Sequence, residues 1–117
     1  MPRYPGLTLR VMGARAAAMG PGKVELIERI AESGSISAAA RAMGMSYRRA
    51  WQLVEALNRD FRAPVVTTAV GGERGGGARV TPFGRRMAAR FRAMESKASA
   101  AVADDLRRFA ADLRRRR

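Results

Sequence analysis

The 117-residue chain contains no cysteine and no histidine. Without cysteine there are no disulfides and no thiolate chemistry. Without either residue there are no imidazole or thiolate metal sites and no nucleophile activated by histidine. The carboxylates that remain, among them Glu25, Glu28, Glu32, Asp104 and Asp105, lack such partners and read as solvated helix faces. No metal, cofactor or catalytic residue is therefore expected. Acidic residues are themselves few: 10 Asp and Glu stand against 23 Lys and Arg, giving a net charge of +13 and a pI near 11.8. That balance attracts polyanions, nucleic acid first and an anionic membrane surface second. Long apolar runs are also missing. Nowhere do about eighteen uncharged apolar residues follow one another, so no membrane span is expected. The opening MPRYPGLTLRVMG lacks the apolar stretch of a secretory signal, which points to the cytoplasm. The length suits one modest core.

What is present is punctuated by glycine, serine and proline. Leu7, Leu9 and Val11 alternate with polar neighbours, the period of a half-buried strand, and residues 15–19 offer a returning partner across Gly13. Gly20, Pro21 and Gly22 form a break. The spacing then predicts a helix over 23–32, with Val24, Leu26, Ile27 and Ile30 on one broad stripe and Glu25, Glu28 and Glu32 opposite. Ser33 and Gly34 stop it. Ser37 is expected to cap a short helix over 38–43, Gly44 to close it, and Ser46 to cap a third helix over 46–58. In that third helix Ala50, Leu53, Val54 and Leu57 recur at i, i+3, i+4 and i+7, leaving Arg48, Gln52 and Glu55 outward.

A β-branched run over 65–70 and a return over 78–81 predict a hairpin whose tip is GGERGGG, residues 71–77. That tip lacks the lysine and hydroxyl of a phosphate loop, and a strand follows it. Thr81 and Pro82 start a last helical region. Its stripe of Phe83, Met87, Phe91, Met94, Val102, Leu106, Phe109 and Leu113 is too long to bury against so small a body, and so predicts a homodimer. The region reads as one helix, or as two with a break near Ser96 to Ser99. The terminal RRRR, residues 114–117, reads as a solvated end.

These elements compose a mainly α fold with small β parts. A winged helix-turn-helix with an N-terminal β-hairpin occupies residues 1–81, and a C-terminal dimerisation region occupies 82–117. Ala38, Ala39 and Ala40 are small enough for close helix crossing, and the second helix of the pair is led by Arg48 and Arg49. Arginine can reach guanine O6 and N7, and Gln52 can pair with adenine. The expected DNA-contact set is Ser37, Ser46, Tyr47, Arg48, Arg49 and Gln52, with Arg74 and Arg79 from a wing over residues 70–78. Tyr47 and Trp51, four apart, either stack on each other or on the rim of the core, or touch nucleic acid.

The series GSISAAARAMGMSYRRAW followed by GGERGGGARVTPFG resembles the N-terminal DNA-binding domain of the ModE-type molybdate-responsive transcriptional regulators. It is more distantly similar to the winged helix-turn-helix of LysR-type regulators. The resemblance spans roughly Leu7 to Met94. It implies a dimer held by the first and the long C-terminal helices, with Leu26, Ile30, Met87, Phe91, Met94, Val102, Leu106 and Phe109 at the interface. It also implies Ser46, Tyr47, Arg48, Arg49 and the wing on double-stranded DNA. Two departures stand out. Glu73 and Arg74 hold the wing tip, where the family usually has a lysine among its glycines. The chain also ends in a basic helix where the family continues into molybdate-binding domains, so molybdate binding is not expected of it. The function expected is sequence-specific transcriptional regulation at a palindromic operator. The alternatives are a sequence-tolerant architectural DNA binder and a winged-helix adaptor whose C-terminal helix joins a separate sensor protein.

Overall fold

The computed structural model describes residues 6–69 and 77–114. The order is β1 (Val11–Met12), β2 (Ala17–Met19), α1 (Pro21–Ser33), α2 (Ile36–Met43), α3 (Tyr47–Asp60), β3 (Val66–Ala69), β4 (Gly77–Val80), α4 (Pro82–Ala101) and α5 (Ala103–Ala111). No helix among the described residues is long and apolar enough to cross a membrane.

The N-terminal strand is much shorter than its alternation predicts. Only Val11 and Met12 pair, with Met19 and Ala17, across a register irregularity. Leu7 and Leu9 lie before the strand. A ribbon of two strands has no third strand to extend it, and Leu7, Val11 and Met12 are left exposed at 45%, 38% and 65%. The break before α1 also narrows, to Gly20. Pro21 and Gly22 are already helical, because a proline at the first helical position gives up an amide that has no intrahelical partner.

Four side chains of α1, Val24, Leu26, Ile27 and Ile30, are completely buried or nearly so. They pack with Ala39 and Ala40 of α2, with Ala50, Val54 and Leu57 of α3, with Val65, Val66 and Val80 at the base of the second hairpin, and with Phe83, Ala88 and Phe91 of α4. One core therefore joins the helix-turn-helix, the hairpin and the first half of α4. Leu26, Ile30 and Phe91, expected at a dimer interface, belong to it. At 0%, 0% and 1% exposure they have no surface left for a partner, because their own protomer already satisfies the stripe. Met87 is half-buried against the same core.

Thr81 starts α4 as its residue type predicts. Its Oγ1 accepts from the Gly84 amide at 2.9 Å and donates to the Pro64 carbonyl at 2.6 Å. Gly84 is required there by proximity alone, since a Cβ would run into the Val65 carbonyl oxygen and the methyls of Val65 and Val80. On the solvent side Arg92 of α4 ties this helix to α1 through Glu28 (2.7 and 2.9 Å) and also reaches Glu95 at 2.8 Å. The Arg92 hydrogen bond holds the Glu28 carboxyl below its usual range, against a smaller opposing effect of burial.

The helical region does break, but at Val102 and not near Ser96 to Ser99. Val102 has φ −111° and ψ 17°. β-Branching makes valine a poorer helical residue, whereas Ser96 and Ser99 make no competing side-chain bond among the described residues. The amide of Val102 still reaches Ala98 O (3.2 Å), and that of Leu106 reaches Val102 O (2.8 Å). Val102 thus closes the ladder of α4 and opens that of α5, and α5 buries no residue.

Candidate nucleic-acid interface

The interface is built from two capped helices and the root of a hairpin. Ser35, not Ser37, caps α2. It has the extended backbone of a cap (φ −149°, ψ 125°), and its Oγ accepts from the Ala38 amide at 3.0 Å. Ser37 is the second helical residue, exposed, with its Oγ 3.2 Å from that of Ser35. In the run GSISAAA both serines precede alanines, so type alone does not say which one turns extended. Gly44 ends α2 with φ 70°, a conformation that favours glycine, and Met45 and Ser46 carry the chain into α3. Ser46 accepts from the Arg49 amide at 3.0 Å.

That cap fixes the rotation of α3. Ala50, Val54 and Leu57 are at most 1% exposed and Leu53 is half-buried, whereas Ser46, Tyr47, Arg48, Arg49, Gln52 and Glu55 are exposed. Arg48 and Gln52, one turn apart, therefore share an outward face. Tyr47 and Trp51 meet edge to face with centroids 6.4 Å apart, and the Trp51 indole N–H donates to the Tyr47 hydroxyl. The two rings thus meet each other, Trp51 also packs on the rim of the core, and Tyr47 keeps 52% of its surface exposed.

Strands β3 and β4 pair Val66 with Val80, Thr67 with Arg79, Thr68 with Ala78 and Ala69 with Gly77. Arg79 is exposed. Arg74 and the rest of the expected tip, residues 70–76, lie outside the described residues. Among the described residues Arg48, Arg49 and Arg79 join no ion pair. Their charges remain available to an anion, and the first amides of α3 add the positive end of a helix dipole.

Two supports were not foreseen from residue types. Asn58, near the end of α3, accepts on Oδ1 from the amides of Val65 (2.8 Å) and Val66 (3.1 Å) and donates from Nδ2 to Val66 O (2.9 Å). One amide side chain thus does what a neighbouring strand would do for the root of β3. At the other edge the Ala78 amide donates to Gly34 O at 3.0 Å, joining β4 to the turn between α1 and α2. Phe83 packs edge to face on Phe61, with the Arg62 guanidinium 5.0 Å from its centroid. Asn58 is a usual residue near a helix end, and its partners come together only in the folded chain.

The arrangement is shared with known proteins. The profile of the bacterial regulatory helix-turn-helix proteins of the lysR family matches residues 22–85, which are α1 to the start of α4. Molybdenum-pterin-binding protein MopB of Rhodobacter capsulatus is 48% identical over 91 residues, covering 78% of this chain and 33% of MopB. MopA of the same organism is 40% identical over 94 residues, covering 80% of this chain and 36% of MopA. The DNA-binding transcriptional dual regulator ModE of Escherichia coli (strain K12) is 40% identical over 67 residues, covering 57% of this chain and 26% of ModE. The chain spans about a third or less of the length of these curated relatives.

Proposed function

The chain belongs to the lysR family of bacterial regulatory helix-turn-helix proteins, and on that premise we propose that it is a sequence-specific DNA-binding transcriptional regulator that acts as a dimer on a palindromic operator. The reading rests on one observation: Arg48 and Gln52 stand exposed on one face of a helix whose opposite face, Ala50, Val54 and Leu57, is buried to 1% or less. A helix so anchored can enter the major groove without disturbing the core, and its two outward side chains have the donor and acceptor pattern that reads guanine and adenine edges. Arg49, Ser46 and the amides at the start of α3 supply phosphate contacts, and Arg79 and the wing add more on the flanking backbone. In a dimer two such helices would be about 34 Å apart, one turn of the duplex. The molybdenum-pterin binding named for MopA and MopB is not carried over, since the matched stretch is only a third of each.

Selection from random-sequence DNA tests this. A recovered inverted repeat is the expected result, and binding that falls with salt but favours no sequence would mean an architectural binder instead. Arg48→Ala should then lower the preference for the recovered site by about 1–3 kcal/mol without changing helicity. An unchanged titration would remove α3 from the interface.

A further inference from the structure

Glu55 is an acidic side chain in the middle of a face otherwise suited to a polyanion. Along α3 the residues Arg48, Gln52, Glu55 and Arg59 recur at steps of four, three and four, and so form one outward row opposite the buried Ala50, Val54 and Leu57. All four are exposed. Arg59 follows Glu55 by four residues, the spacing and direction in which a glutamate and an arginine pair on a helix. It turns instead to Asp60, with Nε 3.3 Å from Oδ1. Among the described residues Glu55 joins no ion pair, so its carboxylate stays available on the row that Arg48 leads.

A carboxylate accepts hydrogen bonds and donates none, and every phosphate of a duplex repels it. Its presence on this row is unfavourable unless a base donor meets it. In the major groove guanine offers O6 and N7 and thymine offers O4, all acceptors; donors come only from the N4 amino group of cytosine and the N6 amino group of adenine. Adenine sets its N7 acceptor beside that donor, whereas cytosine presents the donor alone. From Arg48 to Glu55 the helix rises about 10 Å, roughly three base-pair steps. We infer that Glu55 determines specificity at the α3 interface by accepting from the N4 amino group of a cytosine about three base pairs from the base read by Arg48. Guanine and thymine at that position are rejected by repulsion. The inference rests on the sequence-specific reading above and adds one base position to it. Glu55 thus supplies discrimination, while Arg48 and Arg49 supply attraction.

Selection from random-sequence DNA with the full chain, run on the parent, Glu55→Ala and Glu55→Gln, tests it. Both replacements are good helix formers at an exposed site, so circular dichroism should stay unchanged. The parent should recover a half-site with cytosine at one fixed position. Glu55→Ala should recover the same bases elsewhere in the half-site, lose the cytosine preference by about five-fold or more, and bind nonspecific DNA more tightly. Glu55→Gln, of equal length but with a donor beside its acceptor, should move the preference at that position from cytosine to adenine. A base pattern unchanged in both variants overturns the inference. Unchanged affinity would then mean a solvated or Arg59-paired carboxylate, and an equal rise for every sequence would mean simple repulsion of phosphate. A parent that recovers no preferred sequence brings down the sequence-specific reading itself; a preferred sequence indifferent to residue 55 brings down this inference alone.

Discussion

α3 and α5 are both short amphipathic helices rich in arginine, yet the fold treats them in opposite ways. The apolar face of α3 is packed on the protomer core through Ala50, Val54 and Leu57, its start is held by Ser46 and its end by Asn58. α5 has no buried residue, and no side chain caps its start. A polar face is displayed with fixed orientation only where the opposite face is locked, so α3 is suited to recognition. A helix whose apolar face stays open is suited to association. Similar composition thus supports different roles, and the difference lies in what lies behind each helix.

The sharpest way to break this contrast is to truncate one phenylalanine on each side of it. Phe91→Ala empties a fully packed site and should cost about 3–5 kcal/mol, read as a fall in denaturation midpoint that does not depend on protein concentration. Phe109→Ala should leave the isolated protomer unchanged and lower the midpoint only at concentrations where the dimer forms. Equal, concentration-independent losses would mean that α5 is part of the protomer core.

A smaller effect is expected at the locked end of α3. Asn58→Ala strands the Val65 and Val66 amides, and unsatisfied partly buried donors of this kind cost about 2 kcal/mol. Hydrogen exchange at those two amides should accelerate more than exchange within α1. Uniform acceleration would deny Asn58 its local role.

The smallest effect concerns the tie between α1 and α4. Glu28 is held below its usual range by Arg92, so its contribution is present above the unfolded carboxyl's pKa and disappears as pH falls through the lower folded value. The pair is about 40% exposed, and solvent screening keeps such ties below about 1 kcal/mol. Glu28→Gln should therefore be slightly less stable than the parent at pH 7, and the two should converge once the pH has fallen through the lowered folded value. A gap that persists in acid would point to packing instead of charge.

Features set by local chemistry were legible from residue types. Gly34 and Gly44 take the left-handed conformation at helix ends, Ser46 and Thr81 cap, and the Ala50, Val54 and Leu57 stripe faces inward. Features that depend on distant partners were not. The spacing of Leu26, Ile30 and Phe91 identifies them as apolar, but it cannot say whether they meet their own chain or another. The choice of Ser35 over Ser37 follows from where the chain leaves Gly34. The alternation at Leu7 to Val11 states a preference for strand that a two-stranded ribbon satisfies only at Val11 and Met12.

The Asn58 amide has a mechanical consequence. It fastens the foot of the wing to the helix beside it, much as a rivet fixes the opening of a pair of calipers. Residues between β3 and β4 can then diverge in sequence while the root of the hairpin stays fixed to α3.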